Sequence, residues 1–140
     1  NIDLDDTGQE LPEATARSDI RLSIPTEHKG RMVRDSGITL YVHRGRGTAG
    51  LFATGKRNGI GGEIFRRIAT DWDDIKAALG DHVSITQGDD GKVTIGEDWP
   101  LGDLNDAANR TDLAEKIAAR ANDYVNYFRP KMATVARTLG

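Results

Sequence analysis

Ile20, Leu22 and Ile24 alternate with Arg21 and Ser23, the two-residue period of a half-buried strand, and Pro25 closes the run. Ile38, Leu40 and Val42 alternate with Thr39, Tyr41 and His43, a stronger strand pattern because β-branched and aromatic residues dominate it. A turn at Gly45-Arg46-Gly47 leads into a further run, Ala49 to Thr54, so the two runs read as a hairpin. Gly59, Gly61 and Gly62 then precede a change of period. Phe65, Ile68, Trp72, Ile75 and Leu79 recur every three or four residues, which is one apolar helix face, and Gly80 ends it. Thr70 with Asp73 offers a second start, which would divide the segment into two short helices. Val83 and Ile85, a Gly88-Asp89-Asp90-Gly91 turn, then Val93 and Ile95 give the clearest hairpin.

Asp98 to Asp106 reads as a loop around Trp99-Pro100. Leu113, Ile117, Ala121, Tyr124 and Phe128 mark a long terminal helix with Asn109 or Thr111 as its cap. Pro130 predicts a kink, or a new short helix carrying Met132, Val135 and Leu139, because its ring clashes with the carbonyl of Asn126. Residues 1–19 are acidic and poor in large apolar side chains, so they read as a flexible tail or linker, with a single domain over 20–140. The expected order is β-β-β-α-β-β-α. Strands in hairpins rather than βαβ units predict an α+β fold, with a mainly antiparallel sheet of about five strands and two principal helices.

Composition narrows the chemistry. The 140 residues include no Cys, which excludes disulfide scaffolds, thiol catalysis and Cys-based zinc sites. No apolar run approaches a membrane span, and the expected setting is cytoplasmic. Asn1 as first residue reads as the start of a fragment or a processed product. The net charge of −3 conceals a partition: −5 over residues 1–19, +7 over 20–67, −8 over 68–116 and +3 over 117–140. Such asymmetry points to a polyanionic partner.

The motifs for catalysis are incomplete. Gly50 to Lys56 has P-loop spacing, but Arg57 stands where Ser or Thr is needed and no helix opens at once. Glu27-His28-Lys29 has the Glu-x-Lys form of metal-dependent nucleases, with Asp19 as the accompanying acid, but it follows Pro25 in a polar loop. His28, His43 and His82 share no metal-binding spacing. No catalytic residue, metal ligand or cofactor is therefore nominated, and enzymatic activity is left open. Asp71, Asp73 and Asp74 read as charges near a helix start.

Two binding features remain. Gly59, Gly61 and Gly62 stand before a helix and after Lys56 and Arg57, an arrangement that could hold one anion on backbone N–H groups. Lys29, Arg31, Arg34, Arg44, Arg46, Lys56 and Arg57, with Tyr41 and Phe52 interleaved, form the expected nucleic-acid-binding set, since arginine matches phosphate through its planar fork. Arg66 and Arg67 are expected to pair with Asp71, Asp73 or Asp74.

From Ser36 onward the chain resembles a bacterial C-terminal domain of unknown function found in predicted restriction-type and other DNA-associated proteins. Ile38-Thr39-Leu40-Tyr41-Val42, Phe65-Arg66-Arg67-Ile68 through Asp74-Ile75 to Leu79-Gly80, the Val83–Ile95 hairpin and the terminal helix to Phe128-Arg129-Pro130 carry the resemblance. It implies an accessory module without a catalytic motif, in a restriction-modification or defence setting. The expected function is thus DNA or polyanion contact through residues 29–67. The alternatives are a protein-interaction or homo-oligomerisation module, and a metal-dependent nuclease.

Overall fold

Alternation in the early runs produces strands whose apolar sides all face one way. The computed structural model describes residues 17–139. Its strands are β1 (Arg17–Ser23), β2 (Thr26–His28), β3 (Arg31–Val33), β4 (Ser36–His43) and β5 (Thr48–Gly55). Helices α1 (Ile60–Ala69) and α2 (Trp72–Leu79) follow, then β6 (Ser84–Gln87), β7 (Val93–Pro100) and the helix α3 (Ala107–Thr138). Five strands form one antiparallel sheet in the order β1-β4-β5-β7-β6, and β2 pairs with β3 in a separate two-stranded ribbon. The α+β class and the mainly antiparallel sheet follow as the strand pattern requires.

In register, Leu22 faces Ile38, Ile38 faces Ala53 and Ala53 faces Ile95, so one row of side chains crosses four strands toward the helices. α1 packs on β5 and β7, while α3 crosses β4 and β5 and contacts both other helices. The shared core includes Ile38, Leu40, Leu51, Ile64, Phe65, Ile75, Ile95, Ile117 and Met132. At its centre the Phe128 ring lies 5.3 Å from Phe65, 5.9 Å from Tyr124 and 5.0 Å from Tyr127. Burial of these large side chains is worth roughly 1.5–3 kcal/mol each, which makes the helix–sheet contact the main stabilising term. Among the described residues no helix is long and apolar enough to cross a membrane.

Four expectations change. Strand β1 begins at Arg17 rather than Ile20, because ladder bonding to β4 orders residues that have no apolar alternation of their own. The rest of the expected tail lies outside the described residues. Glu27 to Lys29 is not a loop: it belongs to the β2–β3 hairpin, whose turn residues Lys29 and Gly30 both have positive φ (55° and 80°), as a tight two-residue turn requires. The apolar face of 65–79 is divided at Thr70-Asp71 into two short helices, as the second start offered, and Thr70 Oγ1 donates to the Arg67 carbonyl. Trp99-Pro100 is strand rather than loop, since Trp99 pairs with Ala49 and is buried.

The terminal helix starts earlier than expected and does not stop at Pro130. Asp106 caps it, its carboxylate accepting from Ala108 N at 3.0 Å. Asn109, an expected cap, instead donates to the Leu101 and Asp103 carbonyls and fastens the preceding loop. Phe128, Met132 and Ala136 on either side of Pro130 are all buried. Their burial outweighs the bond lost at the exposed Asn126–Pro130 step. Pro130→Ala should therefore stabilise the protein by about 1 kcal/mol or more by restoring that bond. Thermal unfolding checks this; a lowered melting temperature would contradict it.

Candidate functional site

The basic set is divided by the sheet. The starts of β4 and the end of β5 lie at one end, where Ser36 pairs with Gly55. Arg34 enters β4 there, Lys56 and Arg57 leave β5 there, and the hairpin bearing Lys29 and Arg31 precedes it directly. Arg44 and Arg46 sit in the β4–β5 turn at the other end, about 26 Å away along eight residues of strand. The seven residues are therefore two groups rather than one patch.

Their surroundings differ as well. Arg57 is ion-paired with Asp90 at 2.7 Å. Arg66 and Arg67 both pair with Glu63, at 2.5 and 3.2 Å, and not with Asp71, Asp73 or Asp74; the i−3 and i−4 positions on their own helix place Glu63 closer. These two cations hold the Glu63 carboxyl below the usual glutamate range. By contrast Lys29, Arg31, Arg34 and Lys56 are exposed, and among the described residues none has an acidic side-chain partner.

The glycine motif has another role than the one expected. The Asp35 carboxylate accepts from Gly61 N through both oxygens, at 3.0 and 3.1 Å, so an internal anion already occupies the N-terminus of α1. A Cβ on Gly61 would lie 2.5 Å from Asp35 Oδ1 and overlap the Ser36 hydroxyl. A Cβ on Gly59 would overlap Asp35 Oδ2, and one on Gly62 the Lys56 carbonyl. Gly59, Gly61 and Gly62 thus serve close approach of helix to strand, which replaces the expectation of an external anion there. Nor are Asp19, Glu27 and Lys29 brought together. Asp19 faces away from the helices on β1, opposite Tyr41, while Glu27 and Lys29 lie beyond the far end of that strand. Among the described residues no group of three or more His, Asp or Glu could hold a metal.

A polar cluster absent from the sequence-based expectations lies between β7 and α3. The Glu97 side chain is 1% exposed and accepts from Arg120 Nη2 at 2.6 Å, Arg120 Nε at 3.0 Å and Tyr124 Oη at 2.9 Å. Arg120 also donates to the Leu79 carbonyl and to Asp123, so one guanidinium joins α2, α3 and β7. His82 Nε2, on a side chain 68% exposed, stands 3.7 Å from the same carboxylate. Burial alone would raise the Glu97 pKa, but the Arg120 and Tyr124 bonds outweigh it and hold the carboxyl below its ordinary value. Burial and the neighbouring carboxylate together push the Tyr124 hydroxyl up. The signal for Glu97 was its parity: Val93, Ile95, Glu97 and Trp99 occupy one face of the strand, so a charge at that step needs a buried partner. A second tie joins α2 to α3, where Tyr127 Oη donates to Asp74 at 2.7 Å and Lys131 pairs with the same carboxylate at 2.9 Å. Both partners hold Asp74 below the usual aspartate range.

The other face of the sheet carries no helix among the described residues. Thr39, Tyr41 and His43 of β4 and Thr48, Phe52 and Thr54 of β5 share it with Thr94 and Asp98 of β7. The Tyr41 and Phe52 rings lie 6.2 Å apart, tilted by 47°. Two shallow cavities flank them. One of about 260 Å³ is bounded by His43, Arg46, Thr48 and Asp98, and one of about 220 Å³ by His82, Ser84, Thr86 and Thr94; both rings line each.

These contacts make three substitutions informative about stability. Asp35→Ala removes the α1 cap and should cost about 1–2 kcal/mol, while Gly61→Ala should cost more because its Cβ meets that carboxylate. Chemical denaturation measures both, and unchanged midpoints would refute the cap. Glu97→Gln should cost about 3 kcal/mol, because Arg120, 19% exposed, loses its charged partner. The pH dependence has a definite sign. The folded pKa of Glu97 is depressed, so its contribution is complete above its ordinary value of 4.5 and is lost as pH falls through the folded value. The acid limb of the stability curve should be shallower in Glu97→Gln than in the native protein.

No family model, no curated protein and no solved structure matches the chain, so function has to be argued from the site itself.

Proposed function

We propose that this is an accessory nucleic-acid-binding domain of a bacterial defence or restriction-type protein, acting in the cytoplasm. Its phosphate contacts come from the end of the sheet that carries Lys29, Arg31, Arg34 and Lys56. The observation supporting this reading is a contrast in pairing. Arg57, Arg66, Arg67, Arg120 and Lys131 each have a carboxylate partner, Arg66 and Arg67 sharing Glu63. The four cations at the β2–β3 hairpin and the loops beside β4 and β5 are exposed and have no such partner among the described residues. The loops that carry Arg34 and Lys56 are tied together: Lys56 N donates to the Asp35 carbonyl at 2.7 Å, which fixes the β5–α1 loop against the β3–β4 loop. Arginine and lysine on short, backbone-bonded loops lose less freedom on meeting a phosphate than they would on a mobile tail.

The reading makes a quantitative expectation for salt dependence. Binding of an oligonucleotide to the native protein should weaken linearly in log K against log salt. Replacing Lys29, Arg31, Arg34 and Lys56 together by Ala should reduce the slope by about 3, at roughly 0.7–0.9 per phosphate contact. Replacing the paired set Arg66 and Arg67 should leave it nearly unchanged. Fluorescence anisotropy over a salt series, with circular dichroism to verify folding, decides the matter. Equal slopes in the native and fourfold-substituted proteins would remove this function.

A further inference from the structure

We infer that the nucleic acid bound is a duplex and that the β2–β3 ribbon distorts it: Met32 wedges between two neighbouring base pairs while the cations around it hold the phosphates on either side. This rests on the nucleic-acid function proposed above and adds to it the form of the partner and the distortion imposed on it.

Met32 is 55% exposed, the most exposed large apolar side chain among the described residues. The ladder fixes where it points. Directly paired residues of an antiparallel ribbon share a face, so Met32 and Glu27 project to one side, and Thr26, His28, Arg31 and Val33 to the other. Thr26 is buried, and His28 Nε2 lies 3.3 Å from the Leu139 carbonyl, so the second side rests against the end of α3. Met32 thus stands on the outward side of a ribbon that is backed by a helix and closed by the tight Lys29-Gly30 turn. Such a mount resists displacement when the side chain is pressed into a partner.

The surroundings of Met32 state what it meets. Lys29 and Arg31 precede it and Arg34 follows, all exposed and without an acidic side-chain partner among the described residues. A cationic surface with an apolar side chain at its middle matches a polyanion with an apolar interior. A DNA duplex is one such body: its phosphates run outside the stacked bases, and apolar wedges, methionine among them, unstack a base step from the minor groove and bend the helix by about 20–90°. An anionic bilayer is another, and Glu27 argues against it. That carboxylate is exposed beside Met32 on the same face. A bilayer would have to take it in beneath negative headgroups, whereas the minor groove offers it the guanine amino group as a donor. A single strand, whose bases are already unstacked, presents no step for a wedge to open.

The dimensions agree. Along the ribbon Lys29 stands two strand steps before Met32 and Arg34 two steps after it, so the wedge lies midway in a span of roughly 13 Å. A minor groove about 6 Å wide, together with its two phosphate walls, fits that span. Unstacking a step costs free energy that the contacts must return. A nick or a mismatch removes much of that cost beforehand, so a wedge-bearing protein prefers duplexes that are already weakened at one step.

The test uses the full chain, an intact DNA duplex, the same duplex nicked at its centre, and phosphatidylserine vesicles. 2-Aminopurine beside the nick reports unstacking, and dyes at the two ends report bending. The native protein should bind the nicked duplex about tenfold more tightly than the intact one, raise the 2-aminopurine fluorescence and bring the ends together. Met32→Ala should lose the preference and both optical signals while the salt slope stays native. Met32→Leu, which keeps an apolar wedge, should retain all of them. Met32 is exposed, so both variants fold, and circular dichroism verifies it. Equal affinity for nicked and intact duplexes, or a Met32→Ala variant that keeps the preference, overturns the wedge; a native salt slope in that case leaves the function proposed above standing. Binding to neither duplex removes both. Tight binding to the vesicles that Met32→Ala abolishes, without duplex distortion, assigns the ribbon to a membrane surface and overturns the inference.

Discussion

Glu97 is the point at which the sheet and the helical layer are locked to one another. Its carboxylate sits on the helix-facing side of β7, where the neighbouring steps are Ile95 and Trp99. A charge there is tolerated only because Arg120 and Tyr124 of α3 deliver three hydrogen bonds to it. Those bonds set the rotation and the axial position of α3. Phe128, Met132 and Ala136 then fall onto the core in turn, and the far end of the helix meets the β2–β3 hairpin, where His28 Nε2 lies 3.3 Å from the Leu139 carbonyl. The apolar surface provides most of the stabilisation, and the ionic cluster satisfies the one carboxylate buried within it.

Among the described residues, all helices lie on one side of the sheet and none on the other. On that face the chain uses glycine, serine and threonine around two aromatic rings, with arginines at the turns. The helix-facing side is a packed core, and the other side carries two shallow cavities lined by Tyr41 and Phe52. Substitutions at Leu40 or Ile95 therefore act directly on the packed core.

Much of this architecture was legible in local pattern. The β4 and β7 alternations, the helix face from Phe65 to Leu79 and the terminal helix all appear where their periods place them. What local pattern did not show were features held by long-range partners. β1 extends to Arg17 because β4 supplies its ladder bonds, and Trp99-Pro100 is strand because Ala49 and Thr48 lie beside it. The hairpin of β2 and β3 is too short for an alternation to register. Helix α3 passes through Pro130 because core burial on either side exceeds the local penalty.

The sequence by itself determined the α+β class, the apolar faces of strands and helices, and the concentration of positive charge between residues 20 and 67, since each depends on residue type and spacing alone. Only the tertiary structure decided which charges remain available. Asp35 reaches the start of α1 from across a strand, Asp90 meets Arg57 from another hairpin, and Arg120 finds Glu97 across 23 positions. Pairing of this kind depends on distances in space, and those are set by how the whole sheet and its helices pack.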